Sequence, residues 1–176
     1  MQKAEARKLL NIKDEDKILL TSGSAFKFIP VGEDGIFDCI DRILSSNKEI
    51  KLIVIGKNKY WKNIYKKYKN RVLLYKVIPF TKYTKYVSAA DLIIDSYPMN
   101  GETTLIDAMR AKVPFLSLDT ICSGQNDYVI ESKGYCKTKD ELTDKILKCF
   151  DSENYLDVHF DLLKKIMLNL PHELAV

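Results

Sequence analysis

Short apolar runs alternate with amphipathic stretches along most of the chain. Ile18-Leu19-Leu20-Thr21, Ile50 to Ile55, Val72-Leu73-Leu74-Tyr75, Leu92-Ile93-Ile94-Asp95 and Pro114 to Leu118 read as strands, rich in branched side chains and too short for buried helices. Between them, Ile36, Phe37, Ile40, Ile43 and Leu44 repeat at helical spacing, and helices are predicted over Ile36 to Leu44, Trp61 to Tyr68, Tyr83 to Ala89 and Thr103 to Ala111. Further on the pattern predicts a helix over Asn126 to Ser132, a short strand over Gly134 to Lys137 and a helix over Lys139 to Phe150. A final helix runs from Leu156 to Leu170, with Leu156, Phe160, Leu163, Ile166 and Met167 on one stripe.

The strands are nearly continuous in apolar residues rather than alternating. That is the mark of strands covered on both faces, as in a parallel sheet flanked by helices. Strand-helix alternation over the whole length then predicts an α/β fold, a doubly wound parallel sheet of about six strands with helices on both faces and a closing C-terminal helix. No linker, repeat or low-complexity segment interrupts it, so residues 1–176 are read as one domain.

Composition narrows the class without naming a function. Hydrophobic residues make up 46% and charged residues 30%, ordinary for a globular protein, and no apolar run has the length of a membrane span. The N-terminus, Met1 to Leu10, is charged and lacks the apolar core of a secretory signal. Cys39, Cys122, Cys136 and Cys149 form no Cys-x-x-Cys pair, and His159 and His172 lie apart from them, so no metal site is predicted and the thiols read as reduced and buried in a cytoplasmic protein. The net charge of +4 is mild and does not suggest a nucleic-acid binder.

In such a sheet ligands bind beyond the carboxyl ends of the strands, which directs attention to three loops. The first, Thr21 to Lys27, is small and polar: Gly23 allows close backbone approach, Ser24 adds a hydroxyl, and Lys27 can reach a phosphate. An ordinary turn with a solvated lysine has the same residues. The second, Ile78-Pro79-Phe80-Thr81-Lys82-Tyr83, carries apolar and aromatic side chains on which a flat ring could lie, or which could pack on their neighbours. The third, Asp95 to Thr104, is the most specific. Pro98 interrupts regular structure, Asn100-Gly101 favours a turn, and Glu102, Thr103 and Thr104 open a helix. Free amides, the positive end of the helix dipole and threonine hydroxyls suit a diphosphate there, although Thr and Asn are also common helix caps. Asp107, one turn along, would face the same mouth and could accept hydrogen bonds from ribose hydroxyls. No Gly-x-Gly-x-x-Gly follows the first strand, and Gly56-Lys57-Asn58 lacks the remaining parts of a P-loop.

The run from Ala90 to Pro114, with Asn100-Gly101-Glu102-Thr103-Thr104 at its centre and Asp107 on the following helix, resembles the C-terminal, Rossmann-like half of GT-B glycosyltransferases. Within them it is most similar to the O-GlcNAc transferase-like group, which includes bacterial protein glucosyltransferases. The loop ending Phe26-Lys27-Phe28-Ile29-Pro30 looks like theirs too. The resemblance spans residues 15 to 150. It implies that Lys27 contacts the diphosphate and supports departure of UDP, that Gly23, Ser24, Asn100, Gly101, Glu102, Thr103 and Thr104 surround the diphosphate, that Asp107 holds the ribose, and that Ile78, Phe80 and Tyr83 flank the uracil. It implies a UDP-sugar donor and no metal, because the lysine and helix dipole neutralise the leaving group. Retaining relatives carry two glutamates in this region. Here Met99 and Asp107 stand in those places, which favours an inverting outcome. Lys112 replaces the usual glycine before Val113-Pro114, and Tyr83 stands where close relatives place a histidine.

A GT-B enzyme also needs an N-terminal domain for the acceptor, so the chain is expected to be the donor-binding half, inactive in transfer by itself. Two other readings compete: a UDP-sugar epimerase of the same architecture, and a non-catalytic interaction module. The latter rests on Lys57 to Arg71, where basic and aromatic residues mix. That stretch could touch an anionic membrane at its inner face, or nucleic acid, and otherwise reads as a solvated amphipathic helix.

Overall fold

The computed structural model of the chain describes residues 1–120 and 134–151. The helices expected over 126–132 and 156–170, and Cys122, His159 and His172, lie outside the described residues. Among these residues six strands are interspersed with helices: α1 Lys3–Leu10, β1 Lys17–Ser22, α2 Phe37–Ser46, β2 Ile50–Ile55, α3 Lys62–Lys67, β3 Val72–Tyr75, α4 Phe80–Ala89, β4 Leu92–Ile94, α5 Glu102–Ala111, β5 Phe115–Leu118, β6 Tyr135–Cys136 and α6 Lys139–Asp151. All pairings are parallel, in the order β3-β2-β1-β4-β5-β6. The expected doubly wound α/β sheet is therefore present.

The inner strands are almost wholly apolar because each face meets its own helical layer. Leu19, Leu52, Val54, Leu92, Ile94 and Leu116 point into one core with Ile40, Ile43 and Leu44 of α2 and Leu142 and Ile146 of α6. The residues between them, Leu20, Ile53, Ile55, Ile93 and Phe115, point the other way, against Tyr86 and Val87 of α4 and Ala108 of α5. Strand side chains alternate at a period of two, so a strand clad on both sides shows no polar beat.

Two elements depart from the reading of the sequence. α4 begins at Phe80 rather than Tyr83, because Pro79 occupies the N-cap position, where a fixed φ and a missing amide cost nothing. α1 was not anticipated. It is clamped by Arg7, which is buried although charged. Its guanidinium donates to the carbonyl oxygens of Ala89 (3.2 Å), Lys13 (3.2 Å), Asp14 (2.6 Å) and Asp16 (3.1 Å), and to Asp91 Oδ2 at 2.7 Å. Asp91 also accepts the Ile18 amide at 2.6 Å, so one ion pair ties the first helix to the start of β1 and the end of α4.

Candidate functional site

The chain winds one way from β1 to β2 and β3, and the other way from β4 to β5 and β6, so the topological switch lies between β1 and β4. Crevices for ligands form at that point, outside the carboxyl ends of the strands.

The loop after β1 is held from below. The Gly23 amide donates to the Ile55 carbonyl at 3.0 Å, and the chain then makes a 3-10 turn over Ala25–Phe28. Phe28 is fully buried, edge-on to Trp61 with ring centroids 5.4 Å apart, and Asn58 Nδ2 donates to the Ala25 carbonyl at 2.7 Å. Gly56 allows this closure: its φ is +103°, and a Cβ there would lie 1.8 Å from the Gly23 carbonyl oxygen. The turn presents Lys27, whose Nζ donates to the Asn100 carbonyl at 2.6 Å. The lysine thus bridges the loops after β1 and β4.

The loop after β4 is organised by Asp95, a residue that sequence reasoning placed at a strand end and gave no role. Its Oδ1 accepts the amides of Ser96 (2.8 Å) and Gly101 (2.7 Å), and its Oδ2 accepts the Ser117 hydroxyl at 3.1 Å. Ser96 Oγ donates to the Met99 carbonyl at 2.7 Å, so the turn closes on itself. Burial pushes the Asp95 carboxyl up to about 6, against the opposing pull of the two amides, the Ser117 hydroxyl and the Lys27 charge. The detectable signal was an aspartate ending an apolar strand and followed by Ser-Tyr-Pro: a carboxylate there is buried and must be spent on nearby amides. Gly101 fits tightly, since an added Cβ would come within 3.0 Å of Thr104 Oγ1 and 3.2 Å of Asp95 Oδ1. It also takes the N-cap position of α5, where it brings no capping oxygen to the first amides of the helix.

A cleft of about 370 Å³ opens here. One wall is Ser22, Gly23 and Ser24, the second is Lys76, Val77, Phe80 and Tyr83, and the third is Thr103, Thr104 and Asp107 at the start of α5. Tyr83 joins all three: its hydroxyl lies 3.2 Å from Ser22 Oγ and within reach of Thr104 and Asp107. Thr104 is buried, its Oγ1 3.4 Å from both the hydroxyl and the carbonyl oxygen of Ser22. Burial raises the Asp107 carboxyl above the usual range, offset in part by the Tyr83 hydroxyl and the Arg110 charge. Of the residues predicted from sequence, Gly23, Ser24, Phe80, Tyr83, Thr103, Thr104 and Asp107 converge on the cleft. Lys27, Asn100 and Gly101 do not line it and are held in the bonds described above. Glu102 is the first residue of α5. Ile78 turns inward to pack on the core shared by α4 and β2, and its neighbour Val77, 90% exposed, takes the place at the cleft. Ser22, the last residue of β1, lies in the first loop read from the sequence but was given no role there, and Lys76 and Val77 were missed because irregular segments carry no periodicity from which side-chain direction can be read.

No family model and no curated protein matches the sequence. Solved structures do match in fold. The chain superposes with a TM-score of 0.73 and 17% identity on WaaG, a glycosyltransferase involved in lipopolysaccharide biosynthesis, over 96% of this chain and 47% of that one. The O-GlcNAc transferase of Thermobaculum terrenum matches with a TM-score of 0.66 and 17% identity, over 86% and 32%. A putative UDP-N-acetylglucosamine 2-epimerase from Listeria monocytogenes matches with a TM-score of 0.61 and 14% identity, over 88% and 44%. The chain has the Rossmann-like fold of a GT-B domain. At these identities the likeness is one of fold, and the chain spans less than half the length of each of the three proteins. Among the described residues, no helix is long and apolar enough to cross a membrane.

Proposed function

We propose that this chain is the donor-binding half of a glycosyltransferase that moves a sugar from a UDP-sugar to a glycan, lipid-linked sugar or protein acceptor. The observation that carries the reading is the cleft at the switch point between β1 and β4. There a glycine-bearing turn, a helix start without a capping side chain, two threonines and a carboxylate one turn along meet. In this reading the diphosphate lies at the start of α5, against Gly101, Glu102, Thr103 and Thr104 and the Gly23-Ser24 turn. Helix amides and hydroxyls aimed at one point stabilise such a charge without reorganising, and Lys27, a short movement from the Asn100 carbonyl, adds its charge as the leaving group develops. Asp107 takes the ribose hydroxyls. The base lies toward Phe80 and Val77, the two most exposed apolar side chains of that wall, and a metal is not required.

The acceptor belongs to a second domain facing the cleft. Supporting this, the loops at that end of the sheet expose Phe26 (54%), Val31 (50%), Val77 (90%) and Phe80 (66%), an apolar rim suited to being covered. The chain alone is then expected to bind donor and transfer nothing. Because a 2-epimerase shares the fold, product chemistry separates the two activities: joined to its second domain, the protein should release UDP only with an acceptor present and form no 2-epimer.

The nucleotide class is tested by thermal shift against UDP-, GDP-, CMP- and ADP-sugars. Uridine compounds should raise the midpoint most, and UDP alone should give most of the shift of the UDP-sugar. Equal shifts with all four, or none with any, would remove the reading.

A further inference from the structure

The charges of this chain are segregated to a degree that its mild net charge hides. Between Ile50 and Ala90 there are ten lysines, one arginine and no acidic residue, while the remainder holds 17 basic and 24 acidic residues. Few of these cations are neutralised. Lys51 pairs with Asp16 and Lys67 with Asp41, and the Arg71 guanidinium is spent on the carbonyl oxygens of Leu44, Asn47 and Ile50. Lys57, Lys62, Lys66 and Lys69 have no carboxylate partner among the described residues.

The fold gathers Lys57, Lys62, Lys66 and Lys69 at one edge of the sheet, on α3 and the segments beside β3. Among the described residues β3 is the last strand of its sheet, with one side unpaired, and α3 runs just before it. A groove of about 370 Å³ along β3 is lined by Lys57, Tyr65, Lys69 and Leu73, with Tyr65 39% and Leu73 49% exposed. Lysine alone on an edge strand would be an ordinary guard against strand pairing. Lysines on the preceding helix and loop as well, interleaved with half-exposed aromatic and aliphatic side chains, form a surface that is both cationic and able to bury apolar atoms.

We propose that this edge, formed by α3, β3 and the loop after β2, docks on an anionic lipid surface. Lysine ammonium groups would meet the headgroup phosphates while Tyr65 and Leu73 settle at the level of the headgroups, the division of labour that favours interfacial binding. Lys76 and Val77, just beyond β3, belong also to the wall of the cleft, so docking would bring the cleft mouth to the membrane. The proposal does not rest on the donor reading: it stands or falls with no nucleotide present.

The test is co-sedimentation of the 176-residue chain with vesicles of phosphatidylcholine and phosphatidylglycerol, against phosphatidylcholine alone, at physiological ionic strength. Binding should require the anionic lipid and weaken as salt shortens the screening length. The triple variant K62E/K66E/K69E, confined to exposed side chains, should bind at least about tenfold more weakly. Y65S/L73S should weaken binding at constant charge, which a purely electrostatic contact would not show. Equal binding to both vesicles, or no effect of the charge reversal, would overturn the proposal. So would retention by an acidic polypeptide or a single-stranded oligonucleotide with no binding to vesicles. Circular dichroism of each variant confirms that the fold is kept.

Discussion

Replacing Gly56 by alanine should destabilise the protein by about 3 kcal/mol or more, clearly beyond the effect of the same change at Gly32. Both glycines have positive φ, +62° at Gly32 and +103° at Gly56. At Gly32 nothing lies within 4 Å of an added Cβ, so only the left-handed backbone cost of about 1–2 kcal/mol applies. At Gly56 the new atom would sit 1.8 Å from the Gly23 carbonyl oxygen, and backbone cannot rotate aside as a side chain can. The β1 loop must move, giving up the 3.0 Å bond from the Gly23 amide to Ile55 and shifting the Gly23-Ser24 wall of the cleft. In a chain of this size the loss corresponds to a fall in thermal midpoint of about 6–12 °C. A fall no greater than that of Gly32→Ala would show that the two loops are not locked together.

The second large effect is at Asp95, and it has a pH signature. Asp95→Ala leaves the buried amides of Ser96 and Gly101 without their acceptor, at a cost of about 1–3 kcal/mol each, and frees the turn that sets the start of α5. Asp95→Asn keeps an oxygen for both amides and should be far milder. The sign of the pH dependence follows from the raised carboxyl. The folded protein holds the Asp95 proton up to about pH 6, whereas the unfolded chain releases it near 3.8. This group's stabilising contribution is therefore complete below the unfolded value and is lost as pH rises through the folded one. A difference of this size amounts to about 3 kcal/mol across the interval. Ion-paired carboxylates such as Asp16 and Asp41, held below their usual range, slope the other way at lower pH, so the informative quantity is the difference between wild type and Asp95→Asn. Urea unfolding of both from pH 4 to 7 should show wild type losing ground to the variant as pH rises, and parallel curves would contradict the account.

These predictions also mark where the sequence stopped being readable. The sheet was legible because strands covered on both faces are apolar at nearly every position: β2 was read to the residue from Ile50–Ile55, and the edge strand β3, although Leu73 is half exposed, from the equally apolar run Val72–Tyr75. α1 was invisible because its anchor is a charge. Arg7 looks solvated until Asp91, 84 positions away, folds against it. In the site, chemistry attached to a regular element was legible, as with Thr103, Thr104 and Asp107 one turn apart on α5. What was not legible was direction within irregular chain, which set Val77 in the cleft and packed Ile78 against the core. Tyr83 was read as a ring for stacking. Its hydroxyl proves to be the junction of Ser22, Thr104 and Asp107, a role that depends on three elements distant in sequence.

The central claim, that the cleft between β1 and β4 takes the diphosphate of a uridine nucleotide, is tested most directly by calorimetric titration of UDP into the wild-type chain and into Lys27→Ala and Thr104→Val. The account predicts saturable binding by wild type, at least about tenfold weaker in each variant, since a charge-assisted contact or a buried hydroxyl is worth about 1.5–3 kcal/mol. UDP affinity unchanged by both substitutions would place the nucleotide elsewhere and contradict it.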